Sequence, residues 1–500
     1  MNQMLKRECG NMTIRELMRG ANVLDFGGTQ EMEINGVTGD SRKVKPGYAF
    51  LCIAGTNADG HTFIPKAAAA GAVAAIVEYV PENCPIPCIV CDNTRLAASF
   101  VFSNYFGRPQ DSMTMIGVTG TNGKTSTTYM LRKIYEGAGK NVGVIGTIHN
   151  TWMGKTVDAG MTTPDPERLF GTLAEMRDDG VDVVCMEVSS HSLCLGRVAP
   201  IHFKAGIYTN LTPEHLDFHK TMEEYASAKE LLFLQSDMGI FCADDQYVKA
   251  AAEKNICKSY TVSTVEKADY TAVDIAYESM DGVSYTLILP DETKLAITCP
   301  IAGRFTVNNT LGAIVTALLL GVKQDIILDA IESMGGVPGR IERVTPKTLP
   351  FSAVIDYAHT PDALENVINA LLHSRKEGQK LTVLFGCGGD RDRTKRPVMG
   401  EIATRMADFT IITSDNCRSE EPEDIINDIL AGIHPEAPHQ VIVDRKDAIA
   451  YAVANAVEGE IILIAGKGHE NYEIKKDGKH PFNEKEEVAK AVKARYGIDI

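Results

Sequence analysis

A chain of 500 residues with a net charge of −16 lacks the basic face that bulk nucleic-acid binding requires, though a few basic residues in a cleft could still hold an anionic small substrate. Its content of 44% hydrophobic and 23% charged residues is that of a globular protein, with chain enough for more than one core. Twelve cysteines are too sparse for a disulfide scaffold, and no apolar run reaches the roughly 18 residues of a membrane span.

Residues Met1 to Asn11 read as a polar extension, expected to be poorly ordered and without the apolar region of a secretory signal. A first helix is expected at TIRELMRGA. Short strands at AFLCIAG, AVAAIVEY and PCIVC then alternate with a small-residue helix, FIPKAAAAGA. Cys84, Cys88 and Cys91 share NCPIPCIVCD. A zinc site is disfavoured there, because strand positions three apart face opposite sides and no second Cys or His pair follows. This block runs to about Arg108, and GRPQDSM reads as a linker. Strands MTMIGVTG, VGVIG, VDVVCMEV and FKAGIYTN follow, separated by helical stretches such as PERLFGTLAEMRDDG, so a mostly parallel sheet is expected. TAVDIAYE, GVSYTLIL and KLAITCP suggest an antiparallel flank, and LGAIVTALLLGV a buried helix. After VTPKTLP, strands FSAVIDY, LTVLFG, FTIITSD, QVIVD and EIILIAG form a second doubly wound unit. The expected fold class is α/β.

The stretch GVTGTNGKTS, Gly117 to Ser126, lies between strand and helix. Val118 stands where the commonest phosphate-loop pattern has glycine. Gly120 and Gly123 still let backbone N–H groups approach an anion, Lys124 would reach terminal phosphates, and Thr125 would hold Mg²⁺. Glu187 ends a parallel strand, where ligands gather. His215 and Asp217 follow another strand and could join the same metal cluster. Ser189, Ser190 and His191 lack a G-x-S-x-G elbow, so a nucleophilic serine is disfavoured. Lys229, on the helix EYASAKELLF, would be either solvated or a partly buried, reactive amine. Asp356, Arg391, Asp415, Asn416, Arg418 and Glu470 follow strands of the last block and cluster at one mouth of its sheet. Mixed Arg and carboxylates suit a zwitterionic ligand.

GVTGTNGKTS, MEVSSH, NLTPEHLDFH, YASAKELLF, GRFTVNN, VPGRIERV, DYAHTPDAL, GCGGDRDRTKRP, DNCR and GKGHE, in this order, closely resemble the Mur ligases. TGDSRKVKPGYAFLCIAGTNADGHTFI resembles them too, and the likeness runs from about Met12 to the C-terminus. Their superfamily uses the loop form G-T-x-G-K-[ST]. The resemblance implies a small N-terminal α/β domain for the UDP moiety (residues 1–110), a central domain of the P-loop ATPase type (111–345) and a C-terminal Rossmann-like domain for the incoming amino acid (346–500). It implies that Gly120, Thr121, Asn122, Gly123, Lys124 and Thr125, with Asn309, Arg340 and Asp356, bind ATP across the domain junction. Ser41 and Thr56, Asn57 and Ala58 would contact the uridine diphosphate. Thr162, Thr163, Ser189, Leu195 and Arg197 would hold the muramyl peptide, Leu195 standing where some relatives carry Gln. Thr125, Glu187, His215 and Lys229, carbamylated to N6-carboxylysine, would bind Mg²⁺, two ions in all. Arg391, Asp415, Asn416, Cys417, Arg418, Gly466 and Glu470 would bind the amino acid.

The implied activity is an ATP-dependent amide ligase of cytoplasmic peptidoglycan-precursor synthesis, a monomer that adds meso-diaminopimelate to UDP-N-acetylmuramoyl-L-Ala-D-Glu. Members adding that amino acid carry D-N-P-R, where the Arg binds the distal carboxylate. Here Cys417 replaces the proline and is expected to loosen the loop. L-Lysine is the alternative, though Arg418 would repel its ammonium. Folylpolyglutamate synthetase, a sister ligase, lacks the N-terminal UDP domain. A P-loop GTPase is opposed by the absence of N-K-x-D.

Overall fold

The computed structural model describes residues 12–55, 59–277, 282–376 and 378–500. Two compact units emerge, one of Met1–Lys124 and Tyr135–Thr261, the other of Thr125–Ile134 and Val262–Ile500. Met1 to Asn11, and Thr56, Asn57 and Ala58, lie outside the described residues.

Besides the two-stranded pair Met12–Thr13 and Glu33–Ile34, two sheets build the first unit. In the smaller, Gly36–Thr38, Tyr48–Leu51, Ala74–Val77 and Cys88–Cys91 run parallel, and Val23–Asp25 closes the edge antiparallel. Phe50, Cys52, Ile64, Ala67 and Val77 pack between this sheet and its helix Ile64–Ala69. The first helix is only Ile14–Leu17, held by a capping box between Thr13 and Glu16. In the larger sheet, Val142–Ile145, Val183–Glu187, Thr114–Thr119, Ala205–Tyr208 and Met238–Cys242 are parallel neighbours in that order. All five residues of Val183–Glu187 are buried, as expected for a strand covered on both faces. Successive strands leave Thr114–Thr119 towards opposite sides, which opens a crevice at its carboxyl end. Asp165 caps the helix Pro166–Asp178 through Arg168 N, with proline at its first position.

In the second unit, Tyr270–Tyr277, Val283–Ile288 and Lys294–Cys299 form the antiparallel flank. Buried and half-buried residues alternate along Val283–Ile288, the period-2 signature of one covered face. The apolar run LGAIVTALL lies in the helix Arg304–Leu319, where Leu311 to Ala317 are all buried. The last sheet orders Ser352–Asp356, Ile461–Ala465, Leu381–Phe385, Phe409–Ile412 and His439–Val441, all parallel, with Glu342–Arg343 antiparallel at one edge. Separate apolar clusters cover its two faces. Asp356 is the last residue of one of these strands, and Asp415 and Gly466 follow the carboxyl ends of two others. Among the described residues, no helix is long and apolar enough to cross a membrane.

Candidate active site

The loop after Thr114–Thr119 is shaped by its neighbours. Gly120 has φ +142°, and a Cβ there would collide with Thr209 Oγ1, so only glycine fits without strain. Asn210 binds the loop three times: Thr121 N donates to its carbonyl at 2.9 Å, Asn122 N to its Oδ1 at 2.9 Å, and its own Nδ2 donates to Asn122 O at 3.1 Å. Thr209 Oγ1 donates to Asn122 O at 2.6 Å. Thr121 Oγ1 accepts from Thr212 N at 3.0 Å and lies 3.3 Å from the Tyr225 hydroxyl. Lys124 opens the helix Lys124–Gly137, and its Nζ donates to Gly120 O and Thr121 O at 2.8 and 2.7 Å. Gly117 belongs to the strand instead, where a Cβ would press on Leu232 and Phe203.

Lys229 is 1% exposed on the helix Met222–Glu230. Its Nζ donates to Gly120 O at 2.9 Å and sits 4.5 Å from the centroid of the Tyr225 ring. Burial, reinforced by the Lys124 cation, holds this amine well below the ordinary lysine range, so it is a buried amine rather than a solvated one. Glu187 is equally buried. Its carboxylate accepts from Thr147 N and Thr147 Oγ1, both at 2.9 Å. His215 adopts φ +57°, unusual outside glycine, and its ring lies 4.8 Å from that of His191. Burial lowers the pKa of His215. His219 stacks on Tyr225 at 4.9 Å and contacts Ser190 Oγ at 2.9 Å, and burial pushes its pKa down to about 4. Among the described residues, no three of His, Cys, Asp and Glu converge on a metal position, the Cys84–Cys88–Cys91 group included.

The residues expected to hold a muramyl peptide partly converge. Thr163 Oγ1 donates to Glu187 O at 2.9 Å and accepts from Ser189 N at 3.1 Å. Arg197 Nη1 donates to Thr163 O at 2.9 Å, and Thr162 Oγ1 lies 3.1 Å from Thr147 Oγ1. Leu195 ends the helix Ser190–Cys194 with its backbone N–H on His191 O. Ser41 is half-buried beyond the strand Gly36–Thr38.

In the second unit, Arg340 Nη2 reaches Thr125 Oγ1 at 3.5 Å, and its guanidinium lies 4.9 Å from the Tyr357 ring centroid. Asp356 accepts from Ile341 N and Ala358 N at 2.8 Å each, and burial raises its pKa against the pull of Arg340. Asn309 is 3% exposed, and its Nδ2 has no hydrogen-bond partner among the described residues. The DNCR loop is tied to two distant segments. Gly389 N donates to Asn416 O at 2.9 Å, Arg418 N to Ile474 O at 3.0 Å, and the buried Cys417 side chain joins the apolar core. Arg418, at φ +53°, turns its Nη1 to Gly389 O at 2.8 Å. Asn416 Nδ2 donates to Glu470 Oε2 at 2.8 Å. Arg391 is exposed and bonds only the adjacent Asp390 O among the described contacts.

Local pattern reading passed over Thr147, Tyr225 and Lys467, each of which touches a candidate residue. Asn210, Tyr225 and Lys467 each lie within a family motif, NLTPEHLDFH, YASAKELLF and GKGHE, whereas Thr147 lies in none of them.

A parallel sheet, a glycine loop at its switch point and a buried lysine beneath that loop define an α/β phosphate-loop enzyme. The chain belongs to the Mur ligase family. Residues 33–100 match the family's "Mur ligase family, catalytic domain", 118–317 its "Mur ligase middle domain" and 339–468 its "Mur ligase, glutamate ligase domain". The chain is 42% identical, over 95% of its length and 99% of the relative's, to UDP-N-acetylmuramoyl-L-alanyl-D-glutamate--2,6-diaminopimelate ligase of Clostridium perfringens. Identity to the ligase of the same name from Clostridioides difficile is 44%, over 95% and 98%. A solved structure with that name superposes with a TM-score of 0.70 at 30% identity, covering 97% of this chain and 100% of the other. The enzyme is an ATP-dependent amide ligase, with the α/β fold of its family.

Proposed function

We propose that this ligase joins UDP-N-acetylmuramoyl-L-Ala-D-Glu to meso-diaminopimelate, as a cytoplasmic monomer in peptidoglycan-precursor synthesis, with domains spanning 1–110, 111–345 and 346–500. The observation that carries the choice of amino acid is the cluster at the mouth of the last sheet, where Asn416 Nδ2 donates to Glu470 Oε2 and Arg418 Nη1 donates to Asn416 O. An amino-acid centre brings one carboxylate and one ammonium, and this cluster offers the complement of each.

A carboxylate is a poor acyl donor at neutral pH. The terminal carboxylate of the dipeptide attacks the γ-phosphorus of ATP, giving an acyl phosphate and ADP. The free amine of the amino acid then attacks the acyl carbon, phosphate leaves, and the amine loses a proton as the amide forms. Gly120 to Lys124 cradle the phosphates, and Lys124 exchanges its loop carbonyls for phosphate oxygens. Thr125, Asn309, Arg340 and Asp356 are further ATP contacts in this assignment. Thr162, Thr163, Ser189 and Arg197 orient the dipeptide.

Mg²⁺ usually takes one or two carboxylates, substrate phosphates and water rather than an all-protein cage. Glu187 and a carbamate on Lys229 would supply the carboxylate-type oxygens, with His215 beside them; burial lowers the pKa of the Lys229 amine, which favours its addition to CO₂ with loss of a proton to give an anionic oxygen donor. When bound, the ion offsets repulsion between carboxylate and phosphate.

The deciding experiment is an amino-acid panel with ATP and the UDP-muramyl dipeptide, scored by phosphate release. Fastest turnover is expected with meso-diaminopimelate. Faster turnover with L-lysine would transfer the assignment to that substrate, and GTP binding without ATP binding would end it.

A further inference from the structure

Lys467 has a side chain with 0% exposure, on the loop after the strand Ile461–Ala465. Its Nζ lies 3.1 Å from Asp415 Oδ1 and donates to Asn416 Oδ1 at 2.9 Å and Tyr472 O at 3.1 Å. Glu470 Oε2 stands further off, at 3.7 Å. Asn416 Oδ1 also accepts from Ile474 N at 2.8 Å. With both donors on its oxygen, the Asn416 amide must turn its Nδ2 to Glu470. Lys467 thus orients the amide that orients Glu470.

The charges around it cancel in pairs. Arg445 and Glu484 form a buried pair at 2.7 Å, each with a side chain 1% exposed. Arg445 also donates to Ser414 O and Ala465 O, tying together the two strand ends that carry Asp415 and Gly466. Asp415 packs against Gly466, where a Cβ would come within 3.1 Å of its Oδ2. Burial alone would raise the pKa of Asp415, yet Lys467 and then Arg445 bring it below the usual carboxylate range. Asp415 therefore stays ionised and neutralised by Lys467. Two charges remain. Glu470 has Lys467 only at the longer distance, and Arg418 has carbonyl partners but no carboxylate among the described contacts.

We propose that Lys467 is a positioning and specificity-determining residue. By neutralising Asp415 it leaves one open carboxylate, Glu470, and one open guanidinium, Arg418, so that the site takes a zwitterionic amino-acid centre rather than a lone ammonium. The inference rests on the assignment of this cluster to the amino acid. Removing Lys467 leaves a second uncompensated carboxylate, which favours a purely cationic side chain such as that of L-lysine.

The test compares kcat/KM for meso-diaminopimelate and L-lysine in the full-length enzyme and in Lys467→Met, Lys467→Arg, Asp415→Asn and the Lys467→Met/Asp415→Asn double variant. Lys467→Met is expected to lower the diaminopimelate-to-lysine ratio about tenfold or more, mainly through KM for diaminopimelate, with KM for ATP within about twofold. Lys467→Arg and the double variant are expected to recover most of the ratio, since both restore the charge count. Asp415→Asn leaves Lys467 uncompensated and should push the ratio the other way, a readout that survives if Lys467→Met fails to fold. An unchanged ratio in Lys467→Met, a double variant no better than the single, or a fall in the ratio for Asp415→Asn would each overturn the proposal. An unchanged diaminopimelate KM in Arg418→Ala would instead sink the site assignment beneath it.

Discussion

Lys229 Nζ donates to Gly120 O across 109 residues of chain, so the buried lysine and the phosphate loop are one construction. Held there by a carbonyl and the Tyr225 ring, the amine is buried, and burial with the nearby Lys124 cation lowers its pKa, which favours the neutral form that the proposed carbamate needs. Lys229→Ala should lower turnover by roughly 10³-fold, with partial rescue by short carboxylates. Carbon-13 labelled bicarbonate should give the wild-type enzyme a carbamate resonance that Lys229→Ala lacks. Absence of that resonance from the wild type would refute the modification.

Lys124 lies folded onto two loop carbonyls that phosphate oxygens would replace as its partners. Lys124→Ala should cut ADP release by about 10²-fold or more while leaving the circular dichroism spectrum unchanged. Near-normal turnover would remove the loop from the chemistry.

Gly120 at φ +142° faces Thr209 Oγ1 at a distance that admits no Cβ. Gly120→Ala should destabilise the fold by about 1–3 kcal/mol and weaken ATP binding, read by urea denaturation and calorimetry. Unchanged stability would mean that the loop can relax away from Thr209.

Arg418 is expected to meet a ligand carboxylate. Arg418→Ala should raise KM for meso-diaminopimelate by about 10²-fold and leave KM for ATP within about twofold. Equal changes in both would point to a structural role for the residue.

His219 is buried with its pKa at about 4, below the ordinary 6.5, so protons bind the unfolded chain more readily. Its effect is absent above about 6.5 and grows as pH falls through that window towards about 4, costing up to roughly 3 kcal/mol. Urea midpoints measured from pH 7 to 4 should fall less steeply in His219→Asn, and identical slopes would exclude His219 as a source of acid lability.

The sequence alone determined the α/β class, the position of the loop and the strand-end placement of Glu187, Asp356 and Asp415, because strand period and glycine punctuation are local properties. It also carried the family, since the motifs follow one another in order along the chain. It left open whether Lys229 is solvated or buried, and it passed over Thr147, Tyr225 and Lys467. Only the tertiary structure decided these. Whether a lysine is solvated or buried depends on what surrounds it, and Gly120, Tyr225, Asp415 and Asn416 reach their lysines through the fold rather than through local spacing. The replacement of proline by Cys417 likewise suggested a looser loop, while the bonds restraining that loop come from Gly389 and Ile474, tens of residues away. Desolvation and pairing sum over all neighbours in space, and a linear pattern holds only some of them.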